Sequence, residues 1–196
     1  MTEPKRLRLT IAGADSVLAS DLCASCSYSP AGCCVAPPRY DWSDLGRVVT
    51  HGGAEWLIAQ LAAGRLLPID RGLSVRREKR RVTADLTSPR LAKCTFHDGA
   101  RGCTIEDKQR PSTCNFYLCD RALTESERSG DDRSAAQARS VHDALVTDFV
   151  RWDCELDTRV RAEWPEERRF TAEFFVWLGD EFNRMATGRD PCDVKV

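Results

Sequence analysis

Cysteine placement constrains this chain more than any other feature. Ten cysteines are present, and eight crowd into two short stretches. Cys23, Cys26, Cys33 and Cys34 fall in "CASCSYSPAGCC"; Cys94, Cys103, Cys114 and Cys119 fall within residues 94–119. Cys154 and Cys192 stand alone. Both stretches are polar and broken by proline, with Pro30, Pro37 and Pro38 around the first and Pro111 inside the second. Prolines there oppose regular ladders, so loops are expected. Thiols gathered in loops suit coordination better than core packing, because several thiolates must converge on one small volume.

The spacings refine this. Two residues separate Cys23 from Cys26, which lets one turn aim two sulfurs at one metal. Cys33 and Cys34 are adjacent, and adjacent side chains diverge. They therefore serve two metals, or one ligates while the other packs nearby. Pro111 forces Arg110 into an extended conformation and begins a helical turn bearing Cys114. Cys119 lies about 140° around from Cys114 if that helix continues, so the two converge only if the turn breaks first. Asp98-Gly99 marks a turn that brings Cys94 toward Cys103. His97 reads as a surface or hydrogen-bonding group. The candidate ligands are thus Cys23, Cys26, Cys33, Cys34, Cys94, Cys103, Cys114 and Cys119, in one or two metal sites. Four thiolates around a divalent ion carry a net charge of about −2; Lys93, Arg101, Lys108, Arg110 and Arg121 flank them and can offset it. Arg110 is expected to donate to a thiolate or to backbone carbonyls of the first cysteine loop.

Elsewhere the chain reads as an ordinary α+β domain. Leu7, Leu9 and Ile11 alternate as in a short strand. Ser43 or Asp44 is expected to cap a helix running to His51, and "AEWLIAQLAAG" forms a second helix ending at Gly64. "GLSVRREKRRVTADL" suggests a hairpin, with Leu73 and Val75 facing Val82, Ala84 and Leu86 and the basic "RREKRR" solvated at its tip. "SERSGDDRS" reads as a linker. From Ser134, Val141, Leu145, Phe149, Trp152, Leu156 and Val160 form one face of a long helix. Pro165 is placed at the first position of another, striped by Phe170, Phe174, Trp177, Leu178, Phe182 and Met185. The expected fold is mainly helical α+β: a loop-rich cysteine-cluster module (1–125) packed on a C-terminal antiparallel helical pair (126–196) as one compact unit.

The residues "KCTFHDGARGCTIEDKQRPSTC", preceded by the first cluster, resemble the YkgJ-type cysteine-cluster family, a zinc- or iron-chelating domain. The family pattern falls on Cys23, Cys26, Cys33, Cys34, Cys94, Cys103, Ile105, Arg110, Pro111 and Cys114. The first half departs from it: the family has Cys-x3-Cys-x2-Cys-Cys, whereas two and six residues intervene here. The resemblance spans about residues 20–120 and implies metal binding rather than a particular reaction.

Composition narrows the function classes. A net charge of −1 exerts no overall pull on nucleic acid. No stretch approaches the ~18 apolar residues of a membrane span. "MTEPKRLRLTIAGADSVLAS" lacks the continuous apolar run of a secretory signal, so a cytoplasmic, reducing compartment is expected. Phosphate-loop, dinucleotide, serine-hydrolase and His-Glu-x-x-His motifs are absent. The leading expectation is a cytoplasmic metalloprotein holding zinc or an iron–sulfur cluster through cysteine thiolates. Two others stand beside it: a metal-dependent enzyme acting on a peptide or protein, and a structural zinc module that offers its helices to a protein partner.

Overall fold

The amphipathic run that begins near Ser134 forms one unbroken helix. The structure, a computed structural model, describes residues 7–21, 34, 37–81, 90–98 and 102–186. Helices are numbered here in chain order: α1 Trp42–Thr50, α2 Ala54–Ala62, α3 Ser112–Phe116, α4 Asp120–Arg128, α5 Asp132–Glu163 and α6 Ala172–Ala186. The architecture is mainly helical α+β. Val141, Leu145, Phe149, Trp152, Leu156 and Val160 of α5 are all buried, each large side chain contributing roughly 1.5–3 kcal/mol.

Helices from both halves of the chain share the core. α1 lies against both α5 and α6, so the C-terminal helices enclose a helix from the N-terminal half. Two glycines permit the close approach of α1 and α6. A Cβ on Gly46 would stand 2.5 Å from the Cβ of Phe182, and one on Gly179 would stand 2.6 Å from Val49. Trp42 is fully buried, stacked on Phe170 at 5.8 Å and set edge-on to Phe174.

Neither Ser43 nor Asp44 caps α1, which already begins at Trp42, after Asp41. The cap comes from across the core. Oδ1 of Asp153 on α5 accepts the Trp42 N–H at 2.7 Å and the Ser43 N–H at 3.4 Å. Arg71 bonds its other oxygen at 2.7 Å, and Trp42 Nε1 donates to Asp157. At the far end of the chain, Pro165 precedes a 3-10 turn, Glu166–Arg168, rather than α6. Phe170 then adopts φ 65, a left-handed conformation costly for a bulky residue. α6 starts at Ala172, where Thr171 Oγ1 accepts the Phe174 N–H: a side-chain cap outranks a proline as a start signal.

The strands, numbered in the same way, form two-stranded antiparallel pairs among the described residues. β1 (Leu7–Thr10) pairs with β2 (Val17–Ser20), and β3 (Leu66–Ile69) with β4 (Gly72–Val75). β5 (Arg77–Arg81) pairs with β6 (Arg90–Cys94), and β7 (His97–Asp98) with β8 (Gly102–Cys103). This corrects the expected hairpin: Leu73 and Val75 belong to a hairpin with the strand before them, and "RREKRR" runs into a strand instead of capping a turn. Val82, Ala84 and Leu86 lie outside the described residues. The expected linker is also shorter, because α4 continues to Arg128 and the chain turns at Gly130, φ 82. Among the described residues no helix is long and apolar enough to cross a membrane.

Candidate functional site

The Arg-Pro turn has the shape the sequence suggests. Arg110 is extended, at φ −71 and ψ 152. α3 follows Pro111 directly, and the Cys114 N–H bonds the Pro111 carbonyl at 2.9 Å. The helix stops at Tyr117, whose backbone is extended, so the turn does break before Cys119. That cysteine takes the N-terminal cap position of α4 and packs, half-buried, on the core.

β6 and β8 carry the other two thiols of this segment. Cys94 ends β6 and is buried in the core. Cys103 lies on β8, opposite His97 in register, and its thiol points to the Ile105 carbonyl at 3.9 Å. Cys34 is half-buried against the same core. Cys23, Cys26 and Cys33 lie outside the described residues, as does Cys192, and Cys154 is exposed on α5.

Cys34, Cys94, Cys103 and Cys114 therefore come from separate stretches of chain into one electrostatic neighbourhood. The Cys114 thiol is pushed up to about 12, by burial first, then by Cys103, Asp44, Cys34 and Cys94. By surface area Cys114 is exposed. A thiol open on one side and walled by chain on the others has both properties, and three like groups raise it under either description. Beneath it Tyr40, fully buried, is raised well above its usual value by burial, then by Asp44, Cys114, Cys103 and Cys94. At neutral pH such a thiol is protonated, which makes it a poor nucleophile. Among the described residues no three His, Cys, Asp or Glu side chains stand close enough to hold a metal ion. These four thiols share a field without closing a coordination sphere.

Arg110 faces its own segment. Nε donates to the Ile105 carbonyl at 2.7 Å, the same oxygen the Cys103 thiol addresses, and Nη1 pairs with Asp107 at 2.7 Å. Its guanidinium is thus one carbonyl removed from Cys103.

Three residues that the sequence did not assign to the site complete the surroundings. The Tyr40 hydroxyl donates to the Gln109 carbonyl at 2.9 Å. Asp44 accepts the Ser112 N–H at 2.6 Å; burial raises its carboxyl, opposed by Arg47 and by the Ser112 bond. Arg47, 1% exposed, donates to the Arg110 carbonyl and, at 3.1 Å, to Asp15, which also meets His51 at 2.8 Å. Only the polarity of Asp44 was a signal, and it pointed to the wrong helix.

No family model, curated protein or solved structure matches this chain.

Proposed function

We propose that this chain is a metalloprotein of the reducing cytoplasm, a cysteine-cluster module packed on C-terminal helices, that holds zinc or an iron–sulfur cluster through thiolates. The reading rests on the cysteine spacing, and the observation that supports it is the field these thiols share: after burial, Cys103, Cys34 and Cys94 each help to raise the Cys114 thiol. Like groups that share a field oppose one another's ionisation, whereas a cation among them reverses the sign and displaces the protons. The donor set fits zinc or iron–sulfur chemistry. Cys23, Cys26 and Cys33 are the further ligands of this reading, Cys119 is a peripheral one, and Arg110 supports the Cys103 loop. The pattern Cys-x-Ile-x4-Arg-Pro-x-x-Cys at 103–114 supports membership of the YkgJ-type cysteine-cluster family.

When bound, the metal would tie the loops together by replacing protons on sulfur. One observation favours a structural module among the functional alternatives. Val146 and Val150, one turn apart on α5, are 40% and 59% exposed, an apolar edge suited to a protein partner.

The test is metal analysis of protein purified without oxygen. A brown protein with sulfur-to-iron absorption establishes a cluster, and a colourless one with stoichiometric zinc establishes a zinc site. Cys103→Ser and Cys114→Ser should lose metal sharply while Cys154→Ser retains it. Metal-free wild-type protein, or equal loss from Cys154→Ser and Cys103→Ser, would overturn the proposal.

A further inference from the structure

One neighbouring segment bonds the backbone of the turn that carries Cys114 three times. Tyr40, Asp44 and Arg47 recur at spacings of four and three, from the residues just before α1 into its body. Each grips one backbone group of the Arg-Pro turn: the Gln109 carbonyl, the Ser112 N–H and the Arg110 carbonyl. All three side chains are buried, at 0%, 4% and 1% exposure. The grip covers both sides of Pro111, itself buried.

The division of labour follows from the chemistry of each group. Residue 111 is proline and has no N–H, so Ser112 offers the first free backbone donor of α3. Asp44 accepts it, a cap supplied by another helix. The two carbonyls before Pro111 face inward, where unpaired acceptors are costly. A phenol and a guanidinium satisfy them. Arg47 is braced in turn by Asp15 on the turn between β1 and β2. Asn115 closes the loop from within, donating Nδ2 to the Asp107 carbonyl at 2.7 Å.

We propose that Tyr40, Asp44 and Arg47 are positioning residues that preset Cys114 before any metal arrives. This rests on the metal-binding reading above for its consequence, but not for its geometry. A ligand already in place loses less freedom when it binds, so the clamp raises metal affinity without touching the metal. Asp44 is the critical member, because among the three it is the one that bonds the helix bearing the sulfur, at its first N–H.

Two substitutions separate position from charge. Asp44→Ala and Asp44→Asn both remove the carboxylate charge, but only alanine removes the acceptor for Ser112. Tyr40→Phe deletes one grip with little change of shape and serves where Asp44→Ala folds poorly. The readouts are amide hydrogen exchange of residues 112–116 in metal-free protein and zinc affinity by chelator competition. Asp44→Ala should speed exchange at 112–116 by at least about tenfold and weaken zinc by ~10–100-fold. Asp44→Asn should stay near wild type in both, and Tyr40→Phe should fall between. Equal behaviour of alanine and asparagine, or wild-type exchange in both Asp44→Ala and Tyr40→Phe, overturns the clamp. If wild-type protein binds no zinc and carries no cluster, the metal reading falls, and the exchange comparison still decides whether the clamp sets Cys114.

Discussion

Removing the carboxylate of Asp153 should destabilise the protein through the helix it caps rather than the one it belongs to. Asp153 is 8% exposed on α5. Its Oδ1 serves Trp42 and Ser43 at the start of α1, and its Oδ2 serves Arg71. Loss of a cap costs about 1 kcal/mol. Alanine also leaves a buried N–H at Trp42 without a partner, about 1–3 kcal/mol on its own scale, which overlaps the cap term. The Arg71 pair adds little, about 0–1 kcal/mol, because that side chain is 35% exposed and keeps Asp157 at 3.6 Å. Asp153→Ala should therefore cost about 2–3 kcal/mol. For a chain of 196 residues this lowers Tm by about 5–10 °C. Asp153→Asn keeps an acceptor for Trp42 and relieves the burial that raises the carboxyl, so its cost should stay within about 1 kcal/mol. Urea unfolding followed by circular dichroism at equal metal loading measures both. If alanine and asparagine lose the same stability, or alanine loses less than about 1 kcal/mol, the cross-core cap is not what holds α1.

Gly46→Ala should cost about 1–3 kcal/mol by overpacking, since the new methyl meets the Cβ of Phe182 and the Leu178 carbonyl; thermal unfolding reads it, and unchanged Tm refutes the contact. Asp41 has its carboxyl raised from 3.8 to about 6, by burial and then Asp153, with Arg39 opposing. A carboxyl raised on folding opposes stability once ionised, so this penalty is absent below pH 4 and complete above pH 6. Discounted for partial exposure, Asp41→Asn should gain roughly 1 kcal/mol at pH 7 and nothing at pH 3.5; a gain independent of pH would refute the assignment. Arg110→Lys can keep the Asp107 pair but loses the Nε donor to Ile105, so zinc retention should weaken about tenfold in chelator competition, while wild-type retention would leave only the ion pair.

Periodicity carried most of what the sequence disclosed. The α5 stripe was legible because six apolar residues follow one helical face without interruption. β1 was legible by alternation, but β2, "VLAS", places three apolar residues in a row and so shows no period of two. β3 was hidden by Pro68, tolerated there because a two-stranded pair has only edges, and its omission sent β4 to the wrong partner. Phe175 is buried in α6 although the expected stripe passed beside it, because α1 covers a second face of that helix. At the site, Pro111 and Arg110 announced their own conformations, since proline fixes its own φ and restricts the residue before it. Tyr40, Asp44 and Arg47 did not, because their partners lie 69, 68 and 63 residues away. Local pattern cannot announce a cap delivered by another helix.

The cross-core caps also impose a timetable. The carboxylate that starts α1 is 111 residues downstream of Trp42, and α1 in turn supplies the cap of α3. At ribosomal rates of about 5–20 residues per second, Asp153 emerges roughly 6–20 s after the segment it must cap. During that interval the cysteine turn has been synthesised without the scaffold that braces it. The brace on Cys114 is therefore complete only once α5 has been made.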